Sequence, residues 1–344
     1  MAYTTINKST DYFNTKLWTG TGSNGNAISG VGFAPDWVWV KNRSETYDHV
    51  LFDRVRGDNK HVESSNNSAE ENEANTLAFG SDGYSVGTNT LNKSGNNIVS
   101  WNWKANGQGS SNTDGSINTT YTSVNTTAGF SISQYTGNGS AGATVGHGLG
   151  VAPKMIITKK LSGTSGWQVG HESIGWGNGV YLNTTDASSS DSGAWNSVAP
   201  SSSVFTLGTS SYTNTSGQTY IAYCFAEKTG YSKFGSYTGN GSASDNAFTY
   251  TGFKPTMLII KRTDTSTYWN IWDSARDTSN PHEHFLYPNY NGGEGSGTPY
   301  LDFVSNGFKI RDGNSKWGAS GGTYIYMSFG QSLVGSNNVP CTAR

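Results

Sequence analysis

The sequence predicts an all-β fold of three tandem β-sandwich or jelly-roll-like repeats, each of roughly 100 residues, with little helix. The first observation is a Gly-rich phrase that occurs three times, as LWTGTGS at 17–23, QYTGNGS at 134–140 and SYTGNGS at 236–242. The second is composition: 13% of residues are aromatic, 33% are hydrophobic and only 13% are charged, which is typical of short strands joined by many turns. The third is that no stretch of helical length carries a helical hydrophobic period.

Each copy of the phrase opens a repeat and leads to a proline. The glycines are Gly20, Gly137 and Gly239, and the prolines that keep step with them are Pro35, Pro153 and Pro255. We interpret the glycines as tight turns, since a phosphate-binding loop would need a helix after them. Proline cannot donate to a sheet ladder, so each proline is expected at the first residue of a strand. Each of these strands ends in a lysine, where we expect the chain to return to water: Lys41, Lys159 or Lys261.

The strand after the proline is apolar on both faces in the first repeat. In PDWVWVK, Trp37 and Trp39 point one way, whereas Val38 and Val40 point the other. We therefore expect this strand to be covered on both sides, as in the core of a sandwich.

A short strand, a hairpin and a last strand complete each repeat. The short strands are HVLFD at 49–53, WQVGH at 167–171 and WNIWD at 269–273. Asp82-Gly83 and Asn306-Gly307 predict two-residue hairpin turns whose central residues have positive φ. In the last strands, three aromatic residues align: Trp103, Phe225 and Phe329.

These landmarks predict the domain organisation. An N-terminal segment, 1–16, precedes repeat 1 at 17–104, and a linker or arm at 105–128 follows it. Repeat 2 covers 129–229, repeat 3 covers 230–330, and a C-terminal tail covers 331–344. Because the linker has no counterpart between the second and third repeats, we expect an extended arm across 106–122 with few core contacts.

Charge and targeting signals exclude several classes of partner. The net charge of −2 and the pI near 6.3 give no electrostatic basis for binding nucleic acid. The apolar runs are too short to insert in a membrane, and the start of the chain lacks the pattern of a secretory signal. Two cysteines do not make a disulfide framework. We therefore expect synthesis in a reducing cytoplasm without secretion.

Several long segments resemble a known family. They include DYFNTKLWTG, VGFAPDWVWVKNRS, VSWNWKANGQGSSNTDGSI, TYIAYCFAEKTGYSKFGSYTGNGS and the ending VGSNNVPCTAR. These segments resemble repeat-containing, tail-fibre-like structural proteins of tailed bacteriophages, notably marine and cyanobacterial phages, over essentially the whole chain. The resemblance implies a virion protein and brings no catalytic residues with it. A typical fibre has a longer anchoring N-terminus, whereas residues 1–16 alone precede the first repeat here.

The resemblance implies a non-enzymatic virion structural protein, an external tail fibre, knob or adhesin that contacts a host surface glycan or protein. A capsid decoration or head-fibre protein is the first alternative. A carbohydrate-active enzyme of the virion is the second, although no HExxH motif occurs. Other virion proteins are the expected partners, and a homotrimer is expected by analogy with phage appendages. No cofactor is expected.

The remaining polar landmarks are interpreted as structural. Asp53 and Arg56 align with Asp273 and Arg276, and a pair that occurs twice in a degenerate repeat predicts a turn tied by an ion pair. His282 and His284 follow a proline, and we expect a solvated loop there and no metal site.

Three tryptophans in Gly/Ser-rich stretches are the candidates for an exposed contact surface: Trp176, Trp195 and Trp317. The tryptophans of the predicted strands are expected to pack in the cores.

Overall fold

The computed structural model describes residues 3–88 and 90–334. Regular elements in this part of the chain are nearly all strands, so the all-β prediction is confirmed. Helix is limited to 3-10 turns at Ser9–Asp11 and Glu172–Ile174 and to one short α-helix, α1, at Ser192–Trp195. Of the predicted C-terminal tail, residues 335–344 lie outside the described residues. None of the described helices is long and apolar enough to cross a membrane.

Unit 1 is the name used below for residues 13–103. Its strands are β1 (Phe13–Thr19), β2 (Asn26–Ser29), β3 (Trp37–Asn42), β4 (Val50–Asp53), β5 (Lys60–Glu63), β6 (Glu71–Asn72), β7 (Leu77–Phe79), β8 (Gly83–Val86) and β9 (Asn97–Trp103). They form one sheet in the order β1-β9-β3-β4-β5-β6 and a second in the order β2-β8-β7.

Unit 2 is residues 121–225. Its strands are β10 (Tyr121–Asn125), β11 (Phe130–Thr136), β12 (Ala143–Gly146), β13 (Met155–Lys160), β14 (Trp167–His171), β15 (Asn178–Tyr181), β16 (Ser189–Ser190), β17 (Val204–Leu207) and β18 (Thr219–Phe225). The sheets run β10-β11-β18-β13-β14-β15-β16 and β12-β17.

Unit 3 is residues 232–331. Its strands are β19 (Ser232–Thr238), β20 (Phe248–Tyr250), β21 (Lys254–Arg262), β22 (Asn270–Asp273), β23 (His282–Phe285), β24 (Gly295–Val304), β25 (Gly307–Ile310) and β26 (Thr323–Gln331). The sheets run β19-β26-β21-β22 and β20-β25-β24-β23.

One pairing order recurs in one sheet of each unit, which is called the inner sheet below. The runs β1-β9-β3-β4, β11-β18-β13-β14 and β19-β26-β21-β22 are antiparallel throughout. In the other, outer sheet, the pairs β2–β8, β12–β17 and β20–β25 correspond. That the three units superpose strand for strand stays a prediction.

Alternating side chains place each inner sheet between two cores. Trp37 and Trp39 belong to a central core that receives residues from all three inner sheets. Val38 and Val40 face the other way, into the core between the two sheets of unit 1. All four side chains are fully buried, which confirms that the strand is covered on both sides.

The three aligned aromatic residues meet in the central core. Phe329 lies 5.7 Å from Trp103 and 6.2 Å from Phe225 between ring centroids, both edge to face. Trp37 stacks on Tyr223 of unit 2 at 4.6 Å. Since edge-to-face and offset-stacked rings are favourable beyond their burial, these contacts join the units as well as filling the core.

The segment predicted as an arm, 106–122, runs along unit 2, and Ile117 is its one member of a hydrophobic core. Strand β10 at Tyr121–Asn125 pairs with β11. Ile117 forms a parallel bridge with Val145 of β12 and lies in the core between the sheets of unit 2. The segment thereby covers the edges of both sheets of this unit.

The prolines do not stand at the first residue of their strands. Strands β3 and β13 begin two residues after Pro35 and Pro153. Pro255 is the second residue of β21, at a register shift that ends at Met257. The bulge accommodates a residue that cannot donate to the ladder.

Both predicted hairpins form, with a different turn. Phe79 pairs with Tyr84 and Val304 pairs with Gly307, and neither Asp82 nor Asn306 has positive φ. Gly307 is required for another reason: a Cβ there would lie 2.0 Å from the carbonyl oxygen of Thr249 on the neighbouring strand. Gly83 would meet Ile28 at 1.9 Å in the same way.

Candidate functional site

The lysines that end the inner strands lie between the units and not in water, so the expectation of exposure is wrong. Lys41 is fully buried. Its ammonium donates to the carbonyl oxygens of Asn42 and Tyr47, each at 2.7 Å, and to that of Asn291 in unit 3 at 3.1 Å. Burial lowers the pKa of Lys41 to about 8. A cage of carbonyl oxygens thus replaces the water that a buried ammonium loses.

The other two lysines repeat this contact around a ring. Lys159 of unit 2 donates to Asn67 of unit 1 at 3.3 Å. Lys261 of unit 3 donates to Thr185 of unit 2 at 3.1 Å. Each lysine therefore reaches a different unit, and the three contacts close a ring of units 1, 3 and 2.

Backbone hydrogen bonds follow the same ring. They are Glu294 N to Arg43 O at 2.8 Å, Glu70 N to Leu161 O at 3.0 Å, and Ser188 N to Thr263 O at 2.8 Å. In each pair the acceptor stands two residues after the buried lysine. The three interfaces between units are thus built alike.

Asp53 and Arg56 are joined inside the interface between units 1 and 2. The Arg56 backbone N–H donates to Asp53 Oδ1 at 2.9 Å, and its Nε donates to Oδ2 at 2.5 Å. Tyr223 of unit 2 donates its hydroxyl to the same carboxylate at 2.8 Å. Burial opposes a charged guanidinium, but Asp53, Tyr223 and Glu70 together outweigh it and raise the pKa of Arg56 above its ordinary value. The pair ties a turn and anchors the neighbouring unit.

Asp273 and Arg276 form the matching pair between units 3 and 1. Arg276 Nε donates to Asp273 Oδ2 at 2.5 Å, and Trp101 of unit 1 donates its indole N–H to that oxygen at 3.0 Å. Glu294 accepts from Arg276 Nη1 at 3.0 Å.

A neutral histidine takes the place of the aspartate in the third interface. His171 accepts the N–H of Ser173 at Nδ1, at 3.1 Å, and its Nε2 lies 3.3 Å from the carbonyl oxygen of Tyr326 in unit 3. The Nε2–H tautomer satisfies both bonds. Burial lowers the pKa of His171 to about 4. The three interfaces are thus bridged by hydrogen bonds to two buried ion pairs and by one hydrogen bond of a neutral histidine.

The three tryptophans predicted to be exposed are buried, and that prediction is wrong. Trp176 retains 7% exposure, Trp317 1% and Trp195 none. Trp195 packs edge to face against Trp176 at 5.9 Å, while Trp317 packs against Trp272 at 5.5 Å. The rings lie in the cores between the sheets of units 2 and 3, with Trp195 at the end of α1.

The histidine pair is also placed differently from the prediction. His282 and His284 lie on strand β23 and not in a solvated loop, and His282 is 2% exposed. His284 Nδ1 lies 2.6 Å from Asp277 Oδ1. No group of side chains suited to a metal ion occurs in residues 3–88 and 90–334.

The repeated glycines mark a close approach of two backbones. A Cβ on Gly20, Gly137 or Gly239 would lie 2.1 Å, 2.5 Å and 2.5 Å, respectively, from the carbonyl oxygens of Lys93, Thr215 and Ala319. A side chain does not fit at such distances. Glycine is therefore required where β1, β11 and β19 end beside the turns that precede β9, β18 and β26.

Sequence reasoning misplaced one group of residues and missed another. The interface lysines were expected in water, although their constant position six residues after each proline indicates a shared structural role. The exposed aromatic residues Phe248 and Tyr250, on β20, were not singled out. Comparing β20 with β2 and β12 would have found them, because small residues stand at those positions in the other two units.

Comparisons with known proteins give a family and no function. Neither a search of curated proteins nor a search of solved structures found a match. A family model described as a domain of unknown function, DUF7483, matches residues 8–332. Because the match covers most of the 344 residues, the chain belongs to this DUF7483 family.

Proposed function

We propose that this chain is a non-enzymatic structural protein of a bacteriophage virion, an external tail fibre, knob or adhesin that contacts the host surface. The sequence segments that resemble tail-fibre-like phage proteins support this proposal. A capsid decoration protein and a carbohydrate-active virion enzyme are the alternatives.

The position of the charged residues carries the proposal. The buried lysines and the two Asp–Arg pairs lie at the contacts that join three β units into one closed block. Opening the block would break the hydrogen bonds that these charged groups make across the interfaces, which favours the closed arrangement. Such construction suits a part that must keep its shape on the outside of a particle.

The experiment is to locate the protein in purified phage particles. An antibody raised against the recombinant chain is used to blot virions from a density gradient and to label them for electron microscopy, with host cytoplasmic protein as the purity control. We expect the protein to band with the particles and the label to lie on the tail. Label on the head would favour capsid decoration. Absence from the particles, together with glycan hydrolysis in solution, would overturn the proposal in favour of the enzyme.

Assembly into a homotrimer is part of the same proposal. Light scattering of the recombinant chain should give three times the monomer mass. A stable monomer would remove the homotrimer and leave the virion proposal to the labelling experiment.

A further inference from the structure

The outer sheet of unit 3 has an open edge where unit 2 is covered. In unit 2, the N–H of Ile117 donates to the carbonyl oxygen of Thr144 on β12 at 2.9 Å, and Ile117 is only 7% exposed. Strand β20 occupies the corresponding place in unit 3 and pairs with β25 on one side. Within the described residues, no segment covers its other side as residues around Ile117 cover β12.

Two aromatic rings stand on this open strand. Phe248 is 51% exposed and Tyr250 is 58% exposed. They flank Thr249, whose partner is Phe308, the second residue of β25. Two exposed rings two residues apart on one strand form a contiguous apolar patch. Such a patch on a folded protein indicates a binding surface.

The other units show that the fold does not need these rings. The equivalent central residues are Ile28, paired with Tyr84, and Val145, paired with Phe205. Their flanking residues, which match Phe248 and Tyr250, are Ala27 and Ser29 in unit 1 and Thr144 and Gly146 in unit 2. Small residues are thus sufficient for the fold at these positions, so packing does not explain the aromatic pair in unit 3.

A groove of about 340 Å³ lies beside Tyr250, and a second tyrosine forms part of it. Tyr3 is 42% exposed, and its hydroxyl donates to the carbonyl oxygen of Gly252 at 2.9 Å. Gly252 has a φ of +85°, and a Cβ there would lie 2.4 Å from the Tyr3 hydroxyl. This glycine therefore makes room for the ring of Tyr3 in the groove.

Two neutral polar side chains complete the groove. Ser305 and Asn306 form the turn between β24 and β25 and line it. The backbone carbonyl of Asn306 accepts the N–H groups of Thr251, at 2.9 Å, and Gly252, at 3.2 Å. Among the described residues, the carboxamide of Asn306 and the hydroxyl of Ser305 have no hydrogen-bond partner, so both are free to bind a ligand.

These groups match the chemistry of a sugar ring. An aromatic face packs against the C–H face of a pyranose, while a carboxamide can donate and accept toward neighbouring hydroxyls. The groove residues carry no ionisable charge near neutral pH, which favours a neutral ligand over a phosphate or a sulfated chain. Its volume falls in the range of small-ligand sites.

We propose that this groove binds pyranose rings of a neutral glycan, stacked on Tyr250 and Tyr3 and hydrogen-bonded by Asn306 and Ser305. The inference rests on the proposed function as a surface-contacting protein and names its ligand class. Phe248 extends the stacking surface along β20 for a neighbouring sugar unit.

The test uses the full-length chain on an array of immobilised neutral and acidic glycans, followed by calorimetric titration with the best neutral oligosaccharide. The main variant, Phe248→Ala with Tyr250→Ser, installs the residues that unit 1 carries at these positions, so it should fold. Tyr290→Ala removes a different tyrosine that is 46% exposed and serves as the matched control.

We expect the wild type to bind at least one neutral glycan, the double variant to bind it at least about tenfold more weakly, and the control to bind as the wild type does. Asn306→Ala should weaken binding and change the preference between epimers. Equal binding by the double variant, or no binding of the wild type to any neutral glycan, would overturn the inference.

One further outcome is decisive against it. Binding to an array of extended peptides with no glycan binding would mean that β20 pairs with an added strand. Each failure would leave the location of the protein in virions, and so the proposed function, to its own experiment.

Discussion

Replacing Phe329 with alanine should destabilise all three units together. The ring is 1% exposed in the central core. Five other rings lie around it, with centroid distances of 5.2 Å to Phe13, 5.7 Å to Trp103, 6.2 Å to Phe225, 5.6 Å to Tyr231 and 6.0 Å to Phe234. Because these neighbours come from all three units, the cavity cannot collapse by the movement of one sheet. We expect a loss of about 3–5 kcal/mol in the free energy of unfolding.

Urea unfolding followed by tryptophan fluorescence and far-ultraviolet circular dichroism measures this loss. Phe248→Ala is the matched control, because it removes the same side chain from a position that is 51% exposed. It should change the free energy of unfolding by no more than about 0.5 kcal/mol. A loss below about 1 kcal/mol for Phe329→Ala would refute the description of one core shared by the three units.

The remaining predictions test the interfaces and the outer cores. Arg56→Met should cost about 3–5 kcal/mol by leaving the Asp53 carboxylate buried and unpaired, and adding Asp53→Asn should recover part of it in urea unfolding; no recovery would contradict the pairing. Trp195→Ala should cost about 3–5 kcal/mol and lower the Tm measured by scanning fluorimetry, whereas an unchanged Tm would mean that the ring is not buried. His171 has a folded pKa of about 4, below its ordinary value of about 6.5. As the pH drops, the unfolded state therefore binds the proton first. The free energy of unfolding should fall by about 3 kcal/mol between about pH 6.5 and pH 4. The His171→Gln variant should lose less stability over that pH range, and an equal loss would assign the effect to other groups.

Local sequence patterns predicted the strands well, because strand formation depends on neighbouring residues. The alternation around Trp37 predicted a strand buried on both faces, and the recurring glycines predicted where the chain turns. Both follow from constraints that act within a few residues, namely side-chain direction and backbone space.

Patterns could not show which surfaces the units bury against one another. Lys41 stands near the end of its strand, where a solvated lysine is expected, but carbonyl oxygens of its own unit and that of Asn291 in unit 3 surround its ammonium. Trp195 stands in a Gly/Ser-rich stretch that indicates a loop, whereas it ends the short helix α1, and composition does not tell whether such a segment covers a core. Tyr250 was missed because its exposure depends on whether another segment covers the free edge of β20, which the sequence does not show.

Differential scanning calorimetry of the full chain tests the closed block of three units most directly. If the inner sheets share one core and each unit is tied to both others, the chain should unfold in a single transition. The calorimetric and van't Hoff enthalpies should then have a ratio of about one. Separate transitions, or a calorimetric enthalpy about three times the van't Hoff value, would show three units that unfold independently and would contradict the closed block.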